Sequence, residues 1–559
     1  MDTLEGGYIT HKAPAILSGF YKHTLDLPGR TISQSDLEAT NRLQATPWAV
    51  NRFVLQVARQ MLVDDVQSPV VPGNVRLAVP GRMEDEAWAA ADEAVKKKHL
   101  GAISRVHAEN AGLTGRRNAF VDALDTATQL EDRSAFYFVW THDFRLRRYP
   151  VSCGGLSPQG SDLGKSLMHF ANGKALGPLG FYWLCVRAAN AWGHDKLPLD
   201  ERYGWALDNL SMIVEVAELP VRHRESWESA EAPWEALATA HEIYLALRGD
   251  DRTTFISHLP IPMDGTCNGL QHLSAMGLDP VGALATNLCA GVARHDVYLT
   301  VAEHAARRVE TDAAKGLPAA MLWLGHVNRD AVKRAVLATP YGVTREGIRR
   351  QLVEDGRVPH SDLVSQNVAS AYFRDVIVDA LAGTVVSANV IMAWLQSSAF
   401  RLAEAGLPMI WKTPTGSTVQ QAYKERSVRR VETLSGKIVL HEEAEGGGLD
   451  AKKQALGSAP QIVHSFDASH LAATVNTLGR RGITDFAMVH DSFATHAADT
   501  TTMNAVLRRT FVDLYTPDRL VELAEGFHRY APHVVIPSPP SRGTFDLQAN
   551  VPGSQFFFS

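Results

Sequence analysis

The chain has 559 residues, 45% of them hydrophobic and 21% charged, with a formal net charge of −6. That is an ordinary globular composition, long enough for two to four subdomains. It carries no global basic field, so any site for a polyanion must be a local basic cleft.

The N-terminus, MDTLEGGYITHK, has neither the basic start nor the apolar core of a signal peptide. Residues 36–65 and 85–132 show Ala-rich, charged, periodic patterns and are predicted helical, with a Pro/Val/Gly-rich break at 68–82. The stretch SAFYFVWTHDFRLRRYPVS (134–152) alternates like a strand and ends in a basic cluster. Residues 165–192 and 201–219 read as helices. The most apolar stretch, LGFYWLCVRAANAWG (179–193), is too short to span a bilayer and contains Arg187, so no membrane contact is expected. Residues 255–263 read as a strand ending at Asp264, and 295–310, 327–339, 345–354 and 365–405 as helices. Residues 425–443 alternate on both sides of Ser435-Gly436, a hairpin signal, and a Gly/Glu loop follows at 442–448. A helix at 467–481, a strand at 484–489 and a helix at 500–515 precede a Pro-rich tail. The four cysteines, Cys153, Cys185, Cys267 and Cys289, lie far apart with no C-x-x-C pair, which fits a reducing compartment.

Two acids carry the first chemical signal. Asp264 closes the apolar run ISHLPIPM, and Asp491 follows His490 at the end of FAMV. An aspartate after a strand is most often a turn or cap residue. Two brought together, however, can hold two hard Mg²⁺ ions through oxygen ligands, activating an attacking oxygen and stabilising a leaving one. Gly265 would let a metal or ligand approach the backbone. The second signal is RDAVKRAVLATPYG (329–342). Arg329 and Lys333 are four apart and share a helix face, and Tyr341 and Gly342 follow at the helix end. Two cations can grip a triphosphate and an aromatic can stack on a base. The plainer alternative is an amphipathic helix with a glycine cap.

Three blocks in order, DGTCNGLQHLSAMG, R-x-x-x-K-x-x-x-x-x-x-x-YG and MVHDSFATHAAD, resemble motifs A, B and C of the phage-type single-subunit RNA polymerases, which include the mitochondrial enzymes. HDFRLRRYPVS, LSPQGSDLGK, WKTPTGSTV, LDAKKQALGSAPQIVHSFDASHL and the aromatic C-terminus extend the likeness over roughly residues 40–559. GSDLGKS (160–166), whose glycines are too close for a phosphate loop, belongs to it, and Lys165 is read as a nucleic-acid contact or a surface lysine alike.

The resemblance implies a mostly helical α/β (α+β) right-hand fold. An N-terminal extension would cover 1–39, a thumb 40–132, and palm 133–280 and 470–559 with the tail. Fingers would cover 281–469, including the hairpin. It implies DNA-templated RNA synthesis from NTPs, with Asp264, Gly265 and Asp491 at two Mg²⁺ ions and His490 beside them. Arg329 and Lys333 would hold phosphates, Lys333 assisting departure of pyrophosphate. Tyr341 with Gly342 would gate the substrate, Tyr298 and His470 would sense the ribose, and Lys196 would add a phosphate contact. Asp143 and Arg147 match the template-contact stretch, where Leu146 replaces a usual glycine. Arg426, Arg429, Arg430 and Lys437 of the hairpin would contact DNA. Pro340 is expected to bend or end its helix and to disfavour helical dihedrals at Thr339. The tail Phe556–Ser559 is expected near the active site.

Partners implied are DNA template, RNA product and NTPs. A separate promoter-recognition or DNA-melting protein joins them if another chain supplies the family's N-terminal promoter domain, which this sequence does not contain. Without a targeting-type N-terminus, a phage or prophage origin and a bacterial host cytoplasm are expected. Two rivals are a family A-like DNA polymerase and a non-catalytic nucleic-acid-binding relative. Against the first, no acid follows Asp264 before Asp279, and Ser492 stands where those enzymes pair the aspartate with glutamate. Against the second, both acids are present.

Overall fold

The structure is a computed structural model. It describes residues 17–18 and 31–559, apart from 67, 153, 292, 293, 362, 434, 435, 445, 446 and 559. Most of the expected N-terminal extension, Cys153, Ser435 of the hairpin turn and Ser559 of the tail lie outside the described residues.

Helices make up 58% of the described residues, so the mostly helical α+β class holds. At the centre is a three-stranded antiparallel sheet in the order Ala487–Val489, Ser492–His496, Pro260–Asp264. Its register sets Ser492 opposite Asp264 and His496 opposite Pro260. Ile261 and Met263 alternate inward with Pro260 and Pro262 between them. Two prolines are tolerated because Pro260–Asp264 is an edge strand whose missing N–H groups break no ladder bond. Met263, Met488 and Phe493 bury the inner face. The ring of Phe493 lies 5.4 Å from that of His470 on the long helix Ala451–Arg480.

Several helices differ from the sequence reading. The expected helix 36–65 is two, Gln34–Ala45 and Arg52–Val63, separated by the strand Trp48–Val50, which pairs with Met168–Phe170. Pro47 disfavours helix at Thr46, and Asn51 starts the second helix by accepting from the Val54 amide. The helix expected from 165 begins at Gly177, with Pro178 in its first turn. Residues 365–405 form two helices, Gln366–Thr384 and Val386–Glu404, turned by 103° at Val385. Among the described residues no single helix is long and apolar enough to cross a membrane. The helix expected from 467 begins at Ala451, capped by Asp450, and runs through Pro460. The hairpin is as expected: Arg426–Thr433 pairs with Gly436–Glu443.

Candidate active site

Asp491 and Asp264 are neighbours because of the sheet register. Val489 and Ser492 pair across the turn His490–Asp491, and Ser492 pairs with Asp264. His490 adopts a left-handed φ of 52° to close that turn, and the Gly265 amide donates to the Asp491 carbonyl at 3.2 Å. The two acids line a cleft of about 280 Å³ with Asp195, Arg294, Tyr298, Lys333 and Tyr341. Small residues floor it: Gly265, Thr266, Cys267, Asn268 and Gly269. A larger cavity, about 410 Å³, lies by Trp411 and Tyr530 and holds neither acid, so chemistry rather than volume marks the site.

Asp264 keeps access to the cleft, yet surrounding protein and then the Asp491 charge push its carboxyl up to about 7. Burial also raises Asp491, opposed by Arg147. Two desolvated carboxylates that repel each other are relieved by a cation placed between them. Among the described residues no cluster of three or more His, Cys, Asp or Glu side chains surrounds them. Such a pair fits Mg²⁺, which takes one or two carboxylates and leaves its other positions to water and phosphate oxygens.

The C-terminal tail braces the floor. Thr266 donates to the Phe556 carbonyl at 2.8 Å, Gln271 to the Phe557 carbonyl at 3.1 Å, and Gly265 bridges Phe558. A Cβ on Gly265 would lie 3.3 Å from the Phe558 ring.

The helix Arg329–Ala338 forms the opposite wall. Lys333 points into the cleft. Arg329 donates to Asp296 at 2.6 Å and lies 4.9 Å over the Tyr298 ring. Asp296 also caps the helix Val297–Ala314 that carries Tyr298. Past Ala338 the helix tightens into a 3₁₀ turn, Thr339–Tyr341. It therefore ends at the proline as expected, but Thr339 keeps helical dihedrals (φ −60°, ψ −50°), stabilised by its hydroxyl bond to the Ala335 carbonyl at 2.8 Å. Gly342 has φ 72°, and a Cβ there would meet the Leu456 carbonyl at 2.7 Å.

Tyr341 stacks on His464, centroids 4.7 Å apart. His464 was not among the expected residues. The expected His470 lies instead in the core, bonded to the Leu507 carbonyl at 2.9 Å among Phe493, Phe511 and Phe558, and does not line the cleft. His490 sits edge-on to Tyr149, and burial, then Arg147 and Arg145, drive its pKa down to about 3, so it is neutral at pH 7.

The basic turn after the strand Val139–Asp143 is docked on the helix Ala451–Arg480. Asp143 holds the turn by accepting from the amides of Arg145 and Arg147 and from the Arg145 guanidinium. Arg145 reaches His464 at 2.6 Å. Arg147 pairs with buried Asp467, which also accepts from Asn268 at 3.3 Å. Arg148 reaches the Ala468 carbonyl and buried Asp36. Leu146 has φ 75°, a backbone that suits the glycine it replaces. Lys196 is exposed beside Asp195, 3.9 Å away. Arg426, Arg429, Arg430 and Lys437 lie on the exposed hairpin outside the cleft lining, Lys437 pairing with Glu432 at 2.9 Å.

A strand-end acid pair facing a basic helix across a cleft, inside a mostly helical hand, is the plan of a right-hand nucleic-acid polymerase. The chain belongs to the DNA-dependent RNA polymerase family, whose model matches residues 174–536, more than half of its length. It is 34% identical over 532 residues to the mitochondrial DNA-directed RNA polymerase 1B of Nicotiana tabacum, covering 93% of this chain and 52% of that protein. It is 33% identical over 540 residues to the chloroplastic/mitochondrial polymerase 2 of Nicotiana sylvestris, covering 94% and 52%. It is also 33% identical over 539 residues to the chloroplastic polymerase 3 of that species, covering 94% and 54%. The chain thus spans about half the length of these relatives. They also overturn the expectation of a phage-encoded protein in a bacterial cytoplasm, since they are mitochondrial and chloroplastic enzymes of plants.

Proposed function

We propose that the chain is the catalytic core of a DNA-directed RNA polymerase, joining NTPs to the 3′ end of an RNA on a DNA template. The observation that carries this reading is the cleft where Asp264 and Asp491 meet opposite Lys333 and Tyr341. Asp264 and Asp491 would hold the divalent cations, with the Gly265 backbone beside them. Bound there, two Mg²⁺ ions supply activation of the attacking 3′-hydroxyl and neutralisation of charge on the phosphates.

The remaining work is positioning and electrostatics by the chain's own residues. Lys333 meets the phosphates from the opposite wall and gives a proton to the leaving pyrophosphate. Arg329, braced by Asp296, adds positive charge on the same helix face, and Lys196 adds more at the rim. Tyr341, backed by His464, closes against the base. The small floor from Gly265 to Gly269 leaves room for a ribose 2′-hydroxyl, and Tyr298 lines the same cleft. Arg147 faces the template or the new RNA strand while tied to Asp467, and the hairpin arginines contact DNA. We assign the thumb to 40–132, with the helix Glu93–Leu130 as its main rod, the palm to 133–280 and 470–559, and the fingers to 281–469.

Extension of an RNA primer on a DNA template, with Mg²⁺ and either NTPs or dNTPs, tests the reading. Extension with NTPs is expected. Extension with dNTPs alone would identify a DNA polymerase, and no extension with either would overturn catalysis by this chain.

A further inference from the structure

The charged side chains lining the catalytic cleft are the acids Asp195, Asp264 and Asp491 and the cations Arg294 and Lys333. Arg329 is not among them, since Asp296 engages it at 2.6 Å, and Lys196 also lies outside the lining, beside Asp195. Arg294 has no part in the reading above.

The loop that carries Arg294 is anchored just past it. Asn287 holds His295 by both backbone polar groups, donating from Nδ2 to its carbonyl at 2.8 Å and accepting its amide on Oδ1 at 2.7 Å. Asp296 then caps the next helix. The tail holds Asn287 in turn, the Ser554 hydroxyl donating to its carbonyl at 2.7 Å. The Arg294 side chain is differently placed. Among the described residues it makes one long bond, Nη1 to the Asp195 carbonyl at 3.5 Å, and no carboxylate pairs with it. It is thus a half-buried cation on a fixed backbone, lining the cleft with most of its N–H donors uncommitted.

Charge says what those donors suit. With the three acids ionised, two Mg²⁺ ions and Lys333 leave the cleft less positive than a nucleoside triphosphate is negative. A guanidinium narrows the difference, and its planar fork matches phosphate oxygens two at a time. Arg294 lies beyond ion-pair reach of Asp264 and Asp491, so it meets phosphates other than the one reacting between them.

We propose that Arg294 binds the β- and γ-phosphates of the incoming nucleotide, and then the pyrophosphate product, from the loop beside Asp195 while Lys333 binds from its helix. The triphosphate is then gripped from two separate elements. Because the tail holds Asn287, the tail also sets the position of this cation. The inference rests on the polymerase reading above.

Two measurements test it. The first needs no turnover: Mg²⁺ and pyrophosphate are titrated calorimetrically into the full chain bound to template and primer. Pyrophosphate has neither base nor sugar, so it reports the phosphate site alone. Arg294→Gln should bind it about ten-fold more weakly, the size of one lost charge-assisted bond, with melting temperature and template–primer affinity unchanged. Arg294→Lys, which keeps the charge and loses the fork, should recover part of that loss. The second is primer extension, where Arg294→Gln should raise KM for NTPs by a similar factor and lower kcat less. Unchanged pyrophosphate affinity in Arg294→Gln would overturn the proposal. So would a loss that Arg294→Lys does not relieve and that comes with a lower melting temperature, which marks a merely structural arginine. An unsubstituted chain that binds no pyrophosphate overturns it too. If that chain binds pyrophosphate through Arg294 yet makes no RNA, the polymerase reading fails and the phosphate site stands.

Discussion

Ser492 lies directly across the sheet from Asp264, and one residue earlier the hairpin turn presents Asp491. The acids are therefore held together by backbone ladder bonds rather than by attraction between the side chains. Burial and mutual repulsion keep the Asp264 carboxyl near 7, so the pair is a strained feature of the metal-free protein.

Replacing one member relieves that strain while abolishing chemistry. Asp491→Asn should abolish primer extension and raise the thermal midpoint of the metal-free protein, with a gain of about 1 kcal/mol, typical of functional sites held against stability. Adding Mg²⁺ should raise the midpoint of the unsubstituted chain by mass action and leave the variant nearly unmoved. Scanning calorimetry with and without Mg²⁺ checks this; a variant less stable than the parent would argue against repulsion between the two acids.

Lys333 and Arg329 share a helix face but differ in surroundings. Lys333 points into the cleft, whereas Arg329 is engaged with Asp296 and the Tyr298 ring. Lys333→Gln should lower kcat by about 10²- to 10³-fold with little change in thermal stability, the scale of one lost transition-state contact. Arg329→Gln should cost both activity and roughly 1–2 kcal/mol of stability, since it also frees the Asp296 cap. Steady-state kinetics and melting curves on the two variants separate these outcomes.

Gly342→Ala is expected to be severe for so small a change. The backbone is left-handed at φ 72°, and the new Cβ would press on the Leu456 carbonyl at 2.7 Å. Strain of about 1–3 kcal/mol should shift the Tyr341 turn away from His464. Loss of extension alongside a lower melting temperature would register it; full activity would show that Tyr341 tolerates a displaced turn.

Asp36 sets an acid limit on stability. It is buried against Arg148, Ser417 and Thr415, and although burial alone would raise its pKa, Arg148 and the hydroxyls hold it below the usual 3.8. A depressed carboxylate contributes stability that is present above 3.8 and lost as pH falls through the lower folded value. His142, lowered from 6.5 to about 3 by burial and then by Arg148, acts in the same direction between those values, because only the unfolded chain is protonated there. The stability these two groups contribute should therefore decline from pH 6.5 downward and steepen below 4, set against the gain as Asp264 takes up a proton below about 7. Asp36→Asn, which leaves Arg148 buried without its counter-charge, should cost about 3–5 kcal/mol at pH 7 and flatten the steep acid limb. Urea titrations across pH 3–7 measure both.

The parts legible in the sequence were those whose chemistry lies close together along the chain. Asp264, Arg329, Lys333, Tyr341 and Asp491 each sit in a short block readable without a partner. The hairpin showed itself by alternation about a glycine. What stayed hidden is lateral. His464 and His470 are six positions apart on one helix, which puts them about 240° apart around its axis, and nothing local tells which one lies against Tyr341. The helix Asn268–Gly277 went unread because all ten residues are buried and leave no polar stripe. Arg519–Tyr530 had a readable stripe at Leu520, Leu523, Ala524 and Phe527, obscured by its Pro-rich surroundings. The Leu146 replacement was visible, but its left-handed backbone was not.

The bond from Thr266 to the Phe556 carbonyl closes a loop of 290 positions. Closing so long a loop gains nothing until the intervening chain has collapsed, and its entropic cost grows only slowly with length. The floor of the cleft is accordingly among the last features to assemble during folding, after the helices on either side have formed. A kinetic consequence follows. On refolding from denaturant, helical signal should return well before any ability to extend a primer, and the lag between the two measures how long the tail takes to find Gly265.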